Sequence, residues 1–492
     1  MSFSFRTFLF TGAALAALAA PALAAAKPND DTQAKIVALQ RSVNDLDNQL
    51  QAVKRAQADQ QSQASSDTSA ALADLKRSGS DQYVDLSGRL DALPKASIDN
   101  GRFAFASADG RFSVSLRSLI QFDYGYFAQG KNPASVDLNS GSNFRRAQLA
   151  VVGTAWRDWS YNFTYDFGGN GVEKNGYIYY AYVQYDGLAP FHARIGAEAP
   201  FVGIEDATGS GDLLFLERAS AVDITRNIAG APGREGIDLF AQGDTYLVSL
   251  AYTSKKTTDA ATFDEQQALV GRASWLAINE PDFKWLLDAD GTYVFKLPDA
   301  AANTNTANVF SFSNGPELGV DATKTVNTGN LDATKVGEFG FETAAEYAGL
   351  YGQGGWFHYN IVRRLPVADP DFSGWYALLT YSLTGETHAY DPTTASFRSL
   401  RPAHALGDGG LGAWEIAARY SNIDLDFLPA TTAATGGVAG GIQNVLTLGL
   451  NWYPTNGLKF QLNYYNILAS HINAPANNIS SNAFAIRTQV QF

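Results

Sequence analysis

Two different periods of apolar residues divide this chain. Between Thr32 and Gln57, Ile36, Leu39, Val43, Leu46, Leu50 and Val53 recur at steps of three and four, the a and d seam of nearly three heptads. Leu72, Leu75, Leu86, Leu90 and Leu93 continue it more weakly, out of register after the polar stretch from Gln57 to Ser69. Beyond Pro94 the period becomes two. Trp159, Tyr161, Phe163, Tyr165 and Phe167 alternate with Ser160, Asn162, Thr164 and Asp166. In the closing segment, Phe484, Ile486, Thr488, Val490 and Phe492 share one face, and Ala483, Ala485, Arg487, Gln489 and Gln491 share the other.

One face of such a strand suits hydrocarbon and the other suits water. A tilted strand of about ten residues spans a bilayer, where an open sheet edge finds no water to bond, so the strands must close on themselves. Taken alone, the last segment would also fit a soluble β-sandwich. About sixteen alternating segments recur, however, from Ser113–Tyr126 to Ala483–Phe492, an even number as bacterial barrels require. The expected fold is therefore all-β, a transmembrane antiparallel barrel of about 16 strands preceded by a short coiled-coil helix.

Short connections at 157–158, 188–190, 243–244, 349–352 and 455–457 are expected on the periplasmic side. The long stretches 129–142, 199–234, 297–337 and 426–443 are expected to face outside or fold inward, and the long stretch 384–412 falls by count on the periplasmic side. At the start, Arg6, the apolar run Phe8 to Ala19 and Ala22-Leu23-Ala24 read as a secretory signal peptide. The chain thus divides into a signal peptide at 1–24, a periplasmic coiled-coil stem and linker at 27–93, and an outer-membrane barrel at 94–492. The helix reads either as an oligomeric stem or as an amphipathic helix packed on its own barrel.

The content of 30 Phe, 23 Tyr and 45 Gly suits aromatic girdles and tight turns, and the absence of cysteine excludes disulfides and thiolate metal sites. A formal net charge of -13 argues against a nucleic-acid partner. The five histidines show no zinc spacing, and no serine is singled out as a nucleophile. Gly125 to Asn132 almost spells a phosphate-binding P-loop, but Asn132 stands where Ser or Thr is required and no helix follows. Neither an enzyme nor a cofactor or metal site is expected from these patterns.

Several segments together resemble the phosphate-selective porin O and P family of Gram-negative outer membranes. They are FRRAQLAVVGTAWRDWSYNFTYDF at 144–167, AYVQYDGLAPFHARIGAEAPF at 181–201, FLERA at 215–219, LTGETHAYD at 383–391, GAWEIAARYSNIDL at 412–425 and GLNWYPTNGLKFQLNYY at 449–465. The aromatic end of the chain also resembles the last strand of bacterial outer-membrane proteins. The family resemblance implies a homotrimer of sixteen-stranded barrels in outer-membrane lipid, a third long loop folded into the pore, and arginines guiding anions such as phosphate.

Carried onto this sequence, the resemblance points to Arg117 and the pair Arg145-Arg146 as constriction residues, with Arg218, Arg226 and Arg234 on the third loop. Strand parity turns Arg117, Arg146 and Arg194 inward and Arg145 outward, though close enough to the loop to turn in. Arginine keeps its charge and offers phosphate a planar fork. The alternative is that each pairs with a carboxylate and merely holds loop against wall. Where family members carry a lysine, this chain has Ala199, and parity also turns Glu198, Asp288, Asp290, Glu338, Glu342 and Glu346 inward. The expected function is a small-solute porin with a moderate anion preference. A general or weakly cation-selective porin, or a plugged structural or adhesive barrel, stands as the alternative.

Overall fold

The computed structural model describes residues 30–99, 102–129, 136–168, 175–259, 264–298, 309–431, 433–473 and 478–492. The expected signal peptide lies outside them. The chain forms two compact units, residues 1–91 and 92–492.

The first is a single helix, α1 (Asp30–Asp91), with no buried residue. It is longer than the heptad seam predicts, because the polar stretch after Gln57 stays helical. That stretch lacks Pro and Gly, and Thr68 and Ser69 satisfy their hydroxyls on the carbonyls of Ala64 and Ser65 at 2.6 and 2.7 Å. Pro94 disfavours helical backbone before it, and the helix stops just short. Ile36, Leu39, Val43, Leu46, Leu50 and Val53 all remain exposed. No helix among the described residues is long and apolar enough to cross a membrane.

The second unit is the barrel. Its sheet contains 18 strands, and the short hairpin Lys95–Asp99 with Arg102–Ala106 supplies two of them. The other sixteen form the wall: β1 (Ser113–Gln129), β2 (Gly141–Ala155), β3 (Trp159–Asp166), β4 (Tyr177–Leu188), β5 (Phe191–Glu198), β6 (Arg234–Gln242), β7 (Tyr246–Lys256) and β8 (Gln267–Asn279). There follow β9 (Phe283–Lys296), β10 (Lys335–Tyr347), β11 (Leu350–Val362), β12 (Asp371–Ser382), β13 (Ala413–Phe427), β14 (Val438–Thr455), β15 (Leu458–Ser470) and β16 (Ile479–Gln491). Each pairs antiparallel with its neighbours. β16 pairs with β1 from Gln491↔Leu119 to Ser481↔Gln129, which closes the barrel.

The alternation seen in the sequence is the alternation of the wall. Along β16, Phe484 and Ile486 are exposed on the outside, while Ala483, Ala485, Arg487 and Gln489 are buried inside. Near the short turns, Trp414, Trp452 and Phe460 stack across β13, β14 and β15 with centroids 5.3 and 5.4 Å apart, as in an interfacial aromatic belt. The residues that resembled a P-loop begin inside β1, and 130–132 lie outside the described residues.

Three long connections turn inward. The segment 199–233 between β5 and β6 carries α2 (Ile204–Ala207) and α3 (Ser220–Ala229) and is almost wholly buried. Ala221, Val222, Ile224 and Ile228 of α3 belong to one apolar core with Val270, Leu286, Phe357, Tyr359 and Phe372 on β8, β9, β11 and β12. Residues 309–334 enter from the same side and bury Phe312, Leu318 and Val320. From the end that carries the short turns, the connection after β12 folds back so that Arg272 donates to the carbonyls of Thr394 and Ala395 at 2.7 and 2.8 Å.

Since the outer face must meet hydrocarbon, Ile486→Arg, a charge placed mid-strand on the lipid side, is expected to lower stability by about 2–4 kcal/mol. Urea unfolding of the bilayer-inserted protein measures this, and Ile486→Ala, which keeps the lipid face apolar, serves as the comparison.

Candidate functional site

The inward loop is stitched to one side of the wall carbonyl by carbonyl. Gln121 of β1 donates to Ser210 O at 2.9 Å, and Gln489 of β16 donates to Gly211 O at 2.8 Å. Lys459 and Gln461 of β15 reach Leu213 O at 2.7 and 3.2 Å, and Asn451 of β14 reaches Leu214 O at 3.0 Å. Arg487 of β16 donates to Leu216 O at 2.6 Å, and Arg419 of β13 donates to Glu217 O at 2.9 Å. Irregular backbone away from water needs such partners. Much of the polar inner face of β13 to β16 therefore holds the loop rather than lining water.

Water space remains along the opposite side. A cavity of about 1220 Å³ lies toward the long connections, and another of about 1020 Å³ lies toward the short turns. Tyr179, Arg218, Arg226 and Pro232 face both and mark where they meet. Tyrosines 161, 179, 180 and 182 line the lower cavity beside this junction.

Two residues at the site owe their direction to β-bulges. The register of β1 with β2 slips between Gln121↔Arg146 and Phe122↔Phe144, which leaves Arg145 as the extra residue. The register of β3 with β4 slips between Thr164↔Tyr180 and Tyr165↔Ile178, which leaves Tyr179 extra. A bulge re-aims a side chain that strict alternation would send outward. Arg145 accordingly turns in and grips Glu217 through Nε and Nη2 at 2.5 and 2.9 Å.

Six of the seven arginines singled out by the sequence line these cavities, in different roles. Arg145, Arg146, Arg218 and Arg226 border the upper one, and Arg117, Arg194, Arg218 and Arg226 the lower. Arg218 is a clamp, donating to the carbonyls of Glu205, Asp206 and Thr208 at 3.1, 3.0 and 2.8 Å. Arg226 pairs tightly with Asp206. Arg194 pairs with Glu198 at 2.9 Å and lies 4.6 Å from the Tyr182 ring centre. Among the described residues Arg146 bonds only Gln121, at 2.7 Å, and pairs with no carboxylate. Arg117 makes no hydrogen bond or ion pair among the described residues. Arg234 lies apart, donating to Gly230 O and Ser254 O at 3.3 and 2.7 Å.

The lower cavity also takes Lys95 and Arg398, which sequence reasoning missed because the hairpin and the folded-back connection carry them there. Its charged lining is Lys95, Arg117, Arg194, Arg218, Arg226 and Arg398 against Asp206 and Asp391. The inward carboxylates Asp288, Asp290, Glu338, Glu342 and Glu346 border neither cavity. They are buried behind the loop. Inward parity was right for them, but facing inward is not the same as facing the path.

Two loop groups have displaced proton affinities. Burial raises the Glu217 carboxyl, but Arg145, Arg146 and Arg487 outweigh it and hold the group far below the usual carboxylate range. Burial disfavours the His388 imidazolium, but Glu415, 2.7 Å away, outweighs it with help from Arg398 O at 2.8 Å and from Glu346. The His388 value is therefore raised.

A closed antiparallel barrel with a polar lumen narrowed by an inward loop is an outer-membrane porin. The family model described as phosphate-selective porin O and P matches residues 112–492, and the chain belongs to that family. It is 27% identical over 416 residues to Porin O of Pseudomonas aeruginosa, covering 80% of this chain and 91% of that protein. It is 25% identical over 366 residues to an uncharacterised protein of Caulobacter vibrioides, covering 73% and 69%. Solved structures with a similar trace include OmpT of Vibrio cholerae, at 12% identity and TM-score 0.47 over 78% of this chain and 98% of that one. The anion-selective porin from Comamonas acidovorans aligns at 11% identity and TM-score 0.43, over 77% and 100%.

The raised His388 value makes a pH prediction. A raised folded value means that its stabilisation is complete below the unfolded value of about 6.5 and is lost as pH rises through the folded value. The wild type is expected to lose stability as pH rises above about 6.5 and through the raised folded value. His388→Gln is expected to flatten that slope in urea-unfolding midpoints.

Proposed function

We propose that this porin passes small solutes with a moderate preference for anions such as phosphate, and that the path runs between the two cavities past Tyr179, Arg218 and Arg226. The observation that carries this reading is the charge along the path. Arg146 above the junction and Arg117 below it form no ion pair, although Arg146 acts on Glu217 through space, and the lower cavity is lined by six cations and two acids. The acidic strand that argued for cation preference is withdrawn behind the loop. Selectivity follows the few charges at the narrow point, where screening is weak, rather than the net charge of -13. A phosphate moving past the free guanidinium groups meets planar donors without having to break an existing ion pair.

In the same reading, residues 1–24 direct export and are removed, and three copies assemble with α1 as a periplasmic stem. The exposed seam from Ile36 to Val53 supports association of α1, since an unpartnered helix face of that kind gains by burial.

Reversal potentials across a potassium chloride gradient test the selectivity. The wild type is expected to reverse on the anion side and to lose current on adding phosphate, and Arg146→Glu is expected to abolish the anion preference. A cation-side reversal in the wild type refutes the proposal. For assembly, cross-linking in native membranes is expected to stop at three copies, and a product that never exceeds one copy removes the trimer.

A further inference from the structure

On the wall across from the two cavities lies a second cluster of charge that neither cavity uses. The register of β9 with β10 sets Asp288 opposite Glu342, Asp290 opposite Gly340 and Thr292 opposite Glu338. Asp288, Asp290, Thr292, Glu338 and Glu342 are each more than nine-tenths buried. One carboxylate oxygen from each of Asp288, Asp290 and Glu342 lies within 4.8 Å of the others. Glycines make the room: a Cβ at Gly340 would stand 2.6 Å from Asp290 Oδ1, and one at Gly355 would stand 2.7 Å from Glu342 Cγ.

The partners of these groups do not balance. Asp288 spends one oxygen on Arg272, at 2.8 Å, and on Ser274, and its other oxygen has no partner. Asp290 and Glu338 face one another with Thr292 beside Glu338, and none of their side-chain oxygens completes a well-formed hydrogen bond to a donor outside this group. Glu342 accepts from Tyr376 and from the backbone N–H of Ile204 at the start of α2. Four carboxylates thus share one guanidinium in a site closed to water. Buried charge of one sign without compensation is not tolerated.

We propose that Asp288, Asp290 and Glu342, with Glu338 and Thr292 beside them, bind a divalent cation of calcium's chemistry. The ligands are oxygens alone, and calcium sits about 2.3–2.6 Å from each, which places opposed ligand oxygens about 5 Å apart and agrees with the observed grouping. Magnesium demands a stricter octahedron and keeps several waters, which a closed site with ligands on two adjacent strands does not provide. Because Glu342 also holds the start of α2, the cation would fix the base of the inward loop. It would at the same time cancel most of the acidic charge on this wall.

The test uses the full chain, purified in detergent free of lipopolysaccharide and stripped with EDTA. Terbium is titrated with tyrosine excitation, and calcium is then added as competitor. The Tyr376 hydroxyl donates to Glu342 and serves as the antenna. Saturable sensitised emission that calcium displaces is expected, with calcium affinity about tenfold or more weaker in Asp290→Asn and in Glu338→Gln. Heat-modifiable migration checks that each variant is folded, and Glu338→Gln decides if Asp290→Asn does not insert. Absence of emission or of displacement in the wild type at millimolar calcium overturns the proposal and leaves protons to balance the carboxylates. Unchanged binding in the folded variants also overturns it, by placing the cation elsewhere.

Discussion

The rest of the lumen depends on one requirement, that an irregular segment folded into a barrel must find a donor for every buried carbonyl. Six of the carbonyls from Ser210 to Glu217 are met by Gln121, Asn451, Lys459, Gln461, Arg487, Gln489 and Arg419. That commitment consumes the polar inner face of β13 to β16 and part of β1. On the other flank, α3 fills the space before β8 to β12 with apolar side chains. Among the described strands, those from β1 to β7 are left to border the two cavities, so the loop's anchorage decides where a path can run.

The same anchorage sorts the charges. Arg218, Arg419 and Arg487 are spent on backbone and carboxylates, as are Arg145 with Glu217 and Arg226 with Asp206. Pairs of this kind return little net stability after their desolvation, but removing one partner is costly because the other stays buried. They fix the loop's position and leave its neighbourhood nearly neutral. Arg146 and Arg117, which bond no acid, then contribute charge to the path out of proportion to their number. The acidic residues of β9 and β10 are separated from that path by the loop itself.

Small backbone devices make the arrangement possible. Extra residues in β2 and β4 turn Arg145 and Tyr179 inward. Gly203, at φ 50°, leaves the space that the Glu342 carboxylate occupies against α2: a Cβ there would meet an oxygen of Glu342 head on. A side chain at this position would push the loop's first helix off the wall.

Much of this protein was legible in its sequence alone. A period of two survives any packing detail, since each strand must face hydrocarbon and lumen alternately, and so the strand count, the closing strand and the outward aromatics were all readable. The heptad seam likewise announced α1, although its length was set by helix-forming polar residues that carry no seam. Inward parity correctly identified Arg117, Arg146, Arg194 and the acidic residues of β9 and β10. It did not show that Arg218 would be a clamp, that Arg145 would be turned in by a bulge, or that Lys95 and Arg398 would join the lower cavity. A search for metal ligands by spacing along the chain passed over Asp288, Asp290 and Glu342, because two adjacent strands bring them together. Alternation is a local property of the backbone and is written residue by residue. Which inward groups meet water, and which meet the loop, depends on contacts between segments about two hundred residues or more apart, and only the tertiary structure decides those.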